Sequence, residues 1–348
     1  MLYSDLIIKD SAGGVKEVLK VSKICFGSLC IGPLQSSLSV KDGAKIINHA
    51  LNSGINFIDT AQIYRTYPYI KASLETAANP EKIIISTKTY AYTRKLAKDA
   101  LSEALRELNR DCIDIFLLHE QESIHTIHGH IEALEYLFEQ KEAGKIKAVG
   151  ISTHHVAGVL GAIEFNKTYK NNNKNKLDII HPMYNITGLG IIPEKNSTET
   201  KPAVSQMESA LIAAKKDGFF IFSMKPLGGG NLYARAGEAF KFVLEKPFID
   251  CVAVGMKSEI EVASNINFLE TGSFPDEYYD NYLKTAKLTG GKHLHIDPWC
   301  EGCGKCVSAC TSKALELNSK NIAVCDHDKC VLCGYCSNAC DIFAIKII

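Results

Sequence analysis

The sequence lacks the features that mark membrane, secreted and nucleic-acid-binding proteins. It has no run of about eighteen apolar residues, so we expect no membrane-spanning helix. Its first residues contain no basic segment followed by an apolar run, so we expect no signal peptide. Its 39 basic and 39 acidic residues balance, which gives no sign of a nucleic-acid partner. The pattern G-x-G-x-x-G after the first strand is also missing, which argues against a doubly wound dinucleotide-binding sheet.

Cysteine, in contrast, is abundant and patterned. The spacing C-x-x-C-x-x-C-x-x-x-C occurs twice, thirty residues apart, at Cys300, Cys303, Cys306, Cys310 and at Cys330, Cys333, Cys336, Cys340. A loop folded over an iron–sulfur cluster can present three thiolates at this spacing, and the fourth cysteine reaches the other cluster. The pattern predicts two four-iron, four-sulfur clusters with crossed ligation, one held by Cys300, Cys303, Cys306 and Cys340, the other by Cys330, Cys333, Cys336 and Cys310.

This tail resembles bacterial two-cluster ferredoxins. It departs from them after each fourth cysteine, where Thr311 and Asp341 stand in place of the usual proline. A zinc site is the alternative, but the third C-x-x-C step and the internal repeat argue against it. Cluster thiolates require a reducing compartment, so we expect a cytoplasmic protein without disulfides. Of the other cysteines, we expect Cys325 to be a bystander and four to be buried small hydrophobes: Cys25, Cys30, Cys112 and Cys251.

The chain before this tail alternates short apolar runs with amphipathic segments. There are eight such runs, at Val21–Leu29, Ile55–Ala61, Lys82–Tyr90, Asp114–Glu120, Ile146–Thr153, Asp178–Asn185, Phe219–Leu227 and Phe248–Met256. Lys95–Leu108 and His130–Glu142 show helical periodicity between them. The alternation predicts an α/β fold, a (β/α)8 TIM barrel over residues 1–272. A connector at 273–291 and a small α+β ferredoxin-like domain at 292–348 should follow.

Polar side chains stand where three of the predicted strands end, the region in which barrel enzymes carry their active sites. Asp59, Lys88 and His119 each end an apolar run, and Tyr64 follows in a loop. An ammonium lowers the pKa of a neighbouring tyrosine, so Lys88 should make Tyr64 a better general acid. Asp59 would hold Lys88, and His119 would orient a substrate oxygen. Each residue alone is more often structural, so the prediction depends on the four together.

In these segments the chain resembles the aldo-keto reductase family. The match includes Gly54–Tyr64, the strand ending in Lys88, Cys112–His119, Gly144–Ser152 and Met224–Gly228, in order over roughly residues 15–270. The resemblance implies that Asp59, Tyr64, Lys88 and His119 are a catalytic tetrad with Tyr64 as general acid. It also implies a nicotinamide cofactor lying extended across the end of the barrel.

The same resemblance implies a set of cofactor contacts. Ser152 matches the serine that holds the carboxamide, whereas Thr153 and His181 replace the usual asparagine and glutamine. Lys257 and Ser258 match the pair that grips a 2′-phosphate, which favours NADP(H), although one arginine of that patch is absent. The full predicted set is Gly27, Ser152, Thr153, His181, Met224, Lys225, Pro226, Leu227, Gly228, Lys257, Ser258 and Asn265.

These observations predict an iron–sulfur oxidoreductase that reduces a carbonyl or related group of a small molecule. The clusters would relay electrons to or from an external carrier such as a ferredoxin or flavodoxin. A hydride carries two electrons and each cluster carries one, so a flavin is an open requirement, although no flavin motif occurs. The alternative is a redox-sensing or electron-transfer binding protein whose barrel binds nicotinamide cofactor without rapid turnover. Clusters that only hold the tail folded are a further alternative.

Overall fold

The chain divides into two compact units, one formed by residues 1–226 and 237–274 and the other by 227–236 and 275–348. Our computed structural model describes residues 2–9, 14–169, 175–194, 202–230, 232–277, 293–310, 312–327, 329–330, 335–340, 342 and 344–347. Most of the predicted connector lies outside these residues, as do Thr311, Cys333 and Asp341. In the described part, no helix is long and apolar enough to cross a membrane.

Eight parallel strands form a closed barrel at the centre of the first unit. Around the barrel they follow the order β10-β3-β4-β5-β6-β7-β8-β9. They are β3 Ile24–Gly27, β4 Phe57–Asp59, β5 Ile84–Thr89, β6 Ile113–Leu118, β7 Ile146–Thr153, β8 Ile179–Pro182, β9 Phe220–Met224 and β10 Cys251–Gly255. Nearly all of their residues are buried, as in parallel strands covered on both faces. The predicted (β/α)8 barrel is confirmed.

Helices alternate with these strands along the chain. They are α1 Val40–Asn52, α2 Tyr67–Leu74, α3 Arg94–Leu108, α4 Ile124–Gly129, α5 Ile131–Glu142, α6 Val156–Thr168, α7 Ala203–Lys216, α8 Ala236–Leu244 and α9 Glu259–Thr271. Helix α3 shows how the sequence sets their ends. The Thr93 hydroxyl accepts a hydrogen bond from Leu96 N at its start, and Asn109 adopts a left-handed conformation at its end.

An antiparallel hairpin of β1 Tyr3–Lys9 and β2 Val15–Ser22 covers the amino-terminal end of the barrel. Ser4 Oγ donates to the Asp250 carbonyl oxygen at 2.6 Å, one residue before β10. Ser22 N donates to Asn56 Oδ1 at 2.8 Å, one residue before β4. The carboxyl-terminal end, which we call the mouth, is therefore the end at which a substrate can enter.

Three aspartates fix neighbouring strands to each other near their starts. Asp114, Asp178 and Asp250 each accept a hydrogen bond from a backbone N–H of the adjacent strand at 2.8–2.9 Å. Each also pairs with a lysine on another element: Lys147, Lys141 and Lys215 respectively. These partly buried ion pairs join the barrel to its surroundings at the end opposite the mouth.

The second unit is a small α+β arrangement. Strand β11 Leu294–Ile296 pairs antiparallel with β14 Ile345–Ile347, and β12 Leu315–Leu317 pairs with β13 Ala323–Cys325. The short helices α10 Lys305–Ala309 and α11 Tyr335–Asn338 each contain the third cysteine of one repeat. Aliphatic residues and cysteines share its core. The ferredoxin-like identity of this unit remains a prediction.

The cysteines of the barrel follow the prediction only in part. Cys25 and Cys251 are buried, as expected for small hydrophobes in strands. Cys30 and Cys112 are only half-buried, because one lies in a short turn after β3 and the other in the approach to β6.

Candidate active site and candidate cluster ligands

A buried ion pair joins two neighbouring strands at the mouth. Asp59 is the last residue of β4, and Lys88 is the residue before the end of β5. Lys88 Nζ donates to both Asp59 carboxylate oxygens and to the Thr60 carbonyl oxygen, each at 2.7 Å. Burial opposes the charge on Asp59, but Lys88 and then His181 outweigh it and lower the pKa of Asp59 to about 2. Asp59 is therefore ionised at neutral pH.

Tyr64 lies beside this pair, in the 3-10 turn Gln62–Tyr64. Lys88 Nζ is 5.2 Å from the centre of its ring. The expectation that Lys88 lowers the pKa of Tyr64 is wrong. Burial raises that pKa well above its usual value, and the charges of Asp59 and Glu120 add to the effect. Lys88 is already neutralised by both Asp59 oxygens. Tyr64 therefore holds its proton at neutral pH, as a general acid must, but it is a weak acid.

His119 follows the last residue of β6 and faces Tyr64. Their ring centres are 5.7 Å apart in an edge-on arrangement, and Tyr90 stacks on the imidazole at 4.4 Å. Burial, together with the charge of Lys88, lowers the pKa of His119 well below its usual value. Among the described residues its buried Nδ1 has no hydrogen-bond partner. A neutral imidazole carries one N–H that can donate to a substrate oxygen.

His181 on β8 contacts the same carboxylate from another strand. Its Nδ1 lies 2.6 Å from the Phe222 carbonyl oxygen, and its Nε2 lies 3.6 Å from Asp59 Oδ2. Burial lowers the pKa of His181, although Asp59 partly offsets this. Both ring nitrogens thus face protein groups. The carboxamide contact of His181 stays a prediction, and the geometry adds a second contact, the approach of Nε2 to the Asp59 carboxylate.

A cavity of about 300 Å³ opens next to His119. It is lined by polar side chains from three loops and the start of α4: Tyr90, His119, Glu120, Gln121, Glu122, Thr126, His130, His154 and His155. Because His119, which faces Tyr64, lines it, this is the candidate substrate cavity. Its lining is polar, which favours substrates that form hydrogen bonds.

Ser152 and Thr153 end β7 at the mouth and differ in what their hydroxyl groups can do. Ser152 Oγ accepts from Glu120 N at 2.9 Å, which leaves the Ser152 proton to be donated. Thr153 Oγ1 donates to the His155 carbonyl oxygen at 3.2 Å and accepts from His155 N at 2.9 Å. Ser152 is therefore the better placed of the two to bind a carboxamide oxygen.

Gly27 and Met224 end strands β3 and β9, so both lie at the mouth. Pro226 is the last residue of the first unit in this part of the chain, and Leu227 and Gly228 belong to the second unit. Gly228 has a φ of 55°, a conformation that glycine adopts without strain. The cofactor contacts assigned to these five residues stay predictions.

Lys225 also adopts a left-handed conformation, with a φ of 57°. Its Nζ lies 3.4 Å from His154 Nε2. Burial and then the charge of Lys225 lower the pKa of His154 to about 3, so this imidazole is neutral. A non-glycine residue held in this conformation is typical of functional sites.

Lys257 and Ser258 lie at the start of α9, the region assigned to a 2′-phosphate. Ser258 Oγ caps the helix by accepting from Glu261 N at 3.2 Å, and Lys257 N donates to Glu261 Oε2 at 2.7 Å. Burial raises the pKa of Glu261, although its bond from Lys257 N opposes this. A helix N-terminus with an adjacent ammonium favours a phosphate. Asn265 Oδ1 on the same helix is buried without a partner among the described residues.

In the second unit the two cysteine repeats have matching local geometry. The backbone N–H of Ala314 donates to Cys310 Sγ at 3.2 Å, and that of Ala344 donates to Cys340 Sγ at 3.2 Å. The third cysteine of each repeat, Cys306 or Cys336, is buried in the shared core. Amide–sulfur bonds of this kind stabilise thiolates that ligate iron–sulfur clusters.

The fourth cysteine of the first repeat lies with the second repeat. Burial raises the pKa of Cys325 to about 12, and the neighbouring thiols of Cys330, Cys310 and Cys336 add to this. Cys325 is thus in contact with these candidate cluster ligands, closer to them than the sequence analysis expected.

A glycine allows the first loop to form. At Gly302, with a φ of 65°, an added Cβ would lie 1.7 Å from the Asn321 carbonyl oxygen. Among the described residues, no group of three or more His, Cys, Asp or Glu side chains is placed to hold a single metal ion. Cys333 lies outside them.

Sequence reasoning missed two side chains at the mouth, Glu120 and Tyr90, and one contact of a predicted residue, that of His181 with Asp59. Glu120 directly follows His119, and its position alone could have marked it. Tyr90 stacks on His119, and His181 reaches Asp59. No local pattern signals these contacts, because each joins side chains from different strands or loops.

Comparison with known proteins agrees with this geometry. A profile of the Aldo/keto reductase family matches residues 23–238. The chain is 32% identical over 114 residues to methylglyoxal reductase DkgA of Escherichia coli, covering 32% of this chain and 41% of the relative. It is 32% identical over 108 residues to an NADPH-dependent alpha-keto amide reductase of Saccharomyces cerevisiae, covering 30% and 35%. The matches therefore span less than half the length of each relative.

Solved structures show the same fold. An aldo-keto reductase from Bacillus halodurans, in its holo form, superposes with a TM-score of 0.59 at 19% identity, covering 81% of this chain and 96% of that one. A putative aldo-keto reductase from Pseudomonas aeruginosa gives a TM-score of 0.59 at 19% identity, covering 77% and 94%. At this identity the likeness concerns the fold alone.

Proposed function

Because the chain belongs to the aldo/keto reductase family of oxidoreductases, we propose that it reduces a carbonyl group of a small molecule with NADP(H) at the barrel mouth. The observation that carries this proposal is the arrangement of Tyr64 and His119 beside the buried Asp59–Lys88 pair. All four side chains stand at the end of the barrel where such enzymes act.

The residues at the mouth fit a nicotinamide cofactor. Ser152 keeps a proton to donate, and Lys257 stands at a helix N-terminus. Asn265 has a buried oxygen without a partner in the part of the chain that the structure describes. When bound, the cofactor supplies two electrons as a hydride to the carbonyl carbon. Ser152 would hold its carboxamide, and Lys257 with Ser258 would hold its 2′-phosphate.

The protein's own part of the reaction is the transfer of a proton. The carbonyl oxygen gains negative charge during reduction, and the Tyr64 hydroxyl gives it a proton. His119, held neutral, donates a second hydrogen bond to the same oxygen and fixes its direction. Asp59 keeps Lys88 in place, 5.2 Å from the centre of the Tyr64 ring.

The relatives suggest which carbonyl compounds to test first. Their names describe reductases of methylglyoxal and of alpha-keto amides, both of which are neutral compounds with two adjacent carbonyl groups. The polar cavity beside His119 supports a small substrate of this kind.

The proposal is tested by following NADPH oxidation with methylglyoxal in wild type and in Tyr64→Phe. The variant should lose nearly all kcat and keep its affinity for NADPH, because the hydroxyl acts in the transition state. Tyr92→Phe is a matched control, since Tyr92 is 57% exposed and outside the tetrad. Wild-type turnover in Tyr64→Phe would remove Tyr64 from the mechanism.

For the second unit we propose two four-iron, four-sulfur clusters with the crossed ligation given above. The paired amide–sulfur bonds and the proximity of Cys310 to Cys330 and Cys336 support it. In a cluster each iron takes one cysteine, so four thiolates surround the cluster instead of converging on one ion. Among the described residues, which do not include Cys333, the lack of a single-ion group is therefore compatible with clusters.

The cluster proposal is tested by iron and sulfide analysis of anaerobically prepared protein. About eight irons per chain are expected for two four-iron clusters. Cys310→Ala should remove the EPR signal of one cluster selectively, whereas Cys325→Ala, the control in contact with the same thiols, should keep both. An equal loss of both clusters in Cys310→Ala would contradict crossed ligation.

The clusters would relay electrons to or from an external carrier such as a ferredoxin or flavodoxin. A second candidate function follows from the raised pKa of Tyr64, which slows proton transfer. In that case the barrel binds NADP(H) with little turnover and reports its redox state. A broad panel of carbonyl compounds distinguishes the two, because only an enzyme will oxidise NADPH with one of them.

A further inference from the structure

Glu120 is held at the candidate substrate cavity in a strained conformation. Its φ is 50°, in the left-handed region that side chains other than glycine and asparagine rarely adopt. The conformation is fixed by the Glu120 N–H, which donates to Ser152 Oγ at 2.9 Å. Strain of this kind persists where the surroundings impose it, and it is concentrated at functional sites.

The Glu120 carboxylate faces the cavity and is only partly engaged. Its Oε2 accepts from the Tyr90 hydroxyl at 2.6 Å, and its Oε1 lies 3.9 Å from His154 Nε2. A carboxylate has about four acceptor positions, so Glu120 can accept further hydrogen bonds from a ligand. Its charge also reaches the reacting group, because it acts on Tyr64.

The lining of this cavity contains two carboxylates together with four histidines, His119, His130, His154 and His155. Among its described lining residues, Glu120 and Glu122 are carboxylates and none is a lysine or arginine. His119 and His154 are neutral. Lys88 is compensated by Asp59, and Lys225 is a predicted cofactor contact that contacts His154.

We propose that Glu120 determines substrate specificity: it rejects anionic carbonyl compounds and favours neutral ones with a hydrogen-bond donor next to the carbonyl. This inference rests on the proposed carbonyl reduction and narrows its substrate class. A 2-oxo acid would bring its carboxylate towards Glu120, whereas a hydroxy ketone would donate to it. The main difference between the two compounds is charge, since they differ by only one heavy atom.

The test compares hydroxyacetone with pyruvate. Next to the ketone, hydroxyacetone carries a hydroxymethyl group and pyruvate carries a carboxylate. Their kcat/KM values are measured with saturating NADPH. The cofactor contact predicted for Lys225 is then the same in every assay. Two carboxylates about 6 Å apart repel each other by an amount that depends on the local dielectric constant. Between surface and part-buried values, this repulsion corresponds to a roughly 3- to 100-fold preference for the neutral substrate. We expect wild type to prefer hydroxyacetone by about tenfold, within that range.

Glu120→Gln should bring the two kcat/KM values to within about twofold of each other, since it removes the charge and keeps the shape. Glu120→Gly removes the carboxylate at a φ that suits glycine, so it provides a second variant if the first loses its fold. Glu107→Gln, on α3 outside the cavity, is the control and should keep the wild-type ratio.

The result has distinct failures. A wild type that prefers pyruvate, or a ratio unchanged in both Glu120 variants, overturns the inference while carbonyl reduction stands. A shift in Glu122→Gln but not in Glu120→Gln also overturns it, because the neighbouring carboxylate would then set the charge. If methylglyoxal and both ketones give no NADPH oxidation, the proposed function fails, and this inference fails with it.

Discussion

Replacing Asp59 with asparagine should destabilise the barrel as well as stop catalysis. The side chains of Lys88 and Asp59 are 1% and 7% exposed, so the substitution leaves a buried ammonium without its counter-charge. Breaking a buried pair in this way costs about 3–5 kcal/mol. The depressed pKa of Asp59, about 2 against 3.8, independently corresponds to about 2 kcal/mol. We therefore expect a loss of about 2–5 kcal/mol.

Thermal unfolding followed by near-ultraviolet circular dichroism measures this loss. For a barrel of this size, about 2–5 kcal/mol corresponds to a fall in Tm of roughly 5–20 °C. Asp99→Asn is the matched control, because it breaks the Lys95–Asp99 pair on the surface, where both side chains are more than half exposed. Such a pair contributes no more than about 1 kcal/mol, so the Tm should change by at most a few degrees.

A double variant separates the structural role of the pair from its catalytic role. Asp59→Leu combined with Lys88→Met replaces the ion pair by apolar groups, which is often neutral for stability. It should unfold near the wild-type temperature and have no NADPH-dependent turnover. An Asp59→Asn variant with wild-type Tm would show that the buried ammonium of Lys88 does not need the charge of Asp59 for stability. A double variant that still turns over would refute the catalytic role.

Four further predictions concern pH, cofactor and electrons. Because the pKa of Asp59 is lower in the folded state, its ionised form stabilises the fold above about pH 4, and this contribution is lost as pH falls towards 2. Urea unfolding at pH 5 and pH 3 should show this loss in wild type but not in Asp59→Asn. Lys257→Ala should weaken the binding of NADPH by about 1–3 kcal/mol in fluorescence titrations and leave the binding of NADH unchanged. Equal losses of affinity for both cofactors would contradict phosphate binding by Lys257. His181→Gln should lower kcat more than NADPH affinity if His181 supports Asp59, and a change confined to affinity would favour the carboxamide role. Anaerobic NADPH should leave the cluster absorbance unchanged until flavin is added, and bleaching without flavin would disprove that requirement.

The barrel could be predicted from sequence because its elements are marked locally. Each of the eight apolar runs coincides with one barrel strand to within a few residues, since fully buried parallel strands are continuous apolar segments. Asp59, Lys88 and His119 could be placed at one end because parallel strands end together. The segment 227–236, which belongs to the second unit, could not be predicted, because its grouping depends on contacts distant in sequence.

The electrostatics of the site could not be predicted in the same way. The sequence places Lys88 near Tyr64, but only the structure shows both Asp59 oxygens 2.7 Å from the ammonium. Burial of the Tyr64 phenol, followed by the charge of Asp59, raises its pKa, and neither effect can be read from the sequence. His181 similarly reads as a cofactor contact in sequence, and its approach to Asp59 arises from side chains on separate strands.

The proposed cofactors of the two units differ in how many electrons they move at a time. Carbonyl reduction by NADP(H) moves a pair, and a four-iron cluster moves one. Two clusters in one chain could together hold a pair, but a hydride must first be divided by a group that is stable as a radical. In the proposed reaction Tyr64 and the neutral His119 serve proton transfer and hydrogen bonding. If the clusters exchange electrons with carbonyl chemistry, a flavin or an external carrier must therefore stand between them; otherwise they serve the fold of the second unit or a separate electron-transfer reaction.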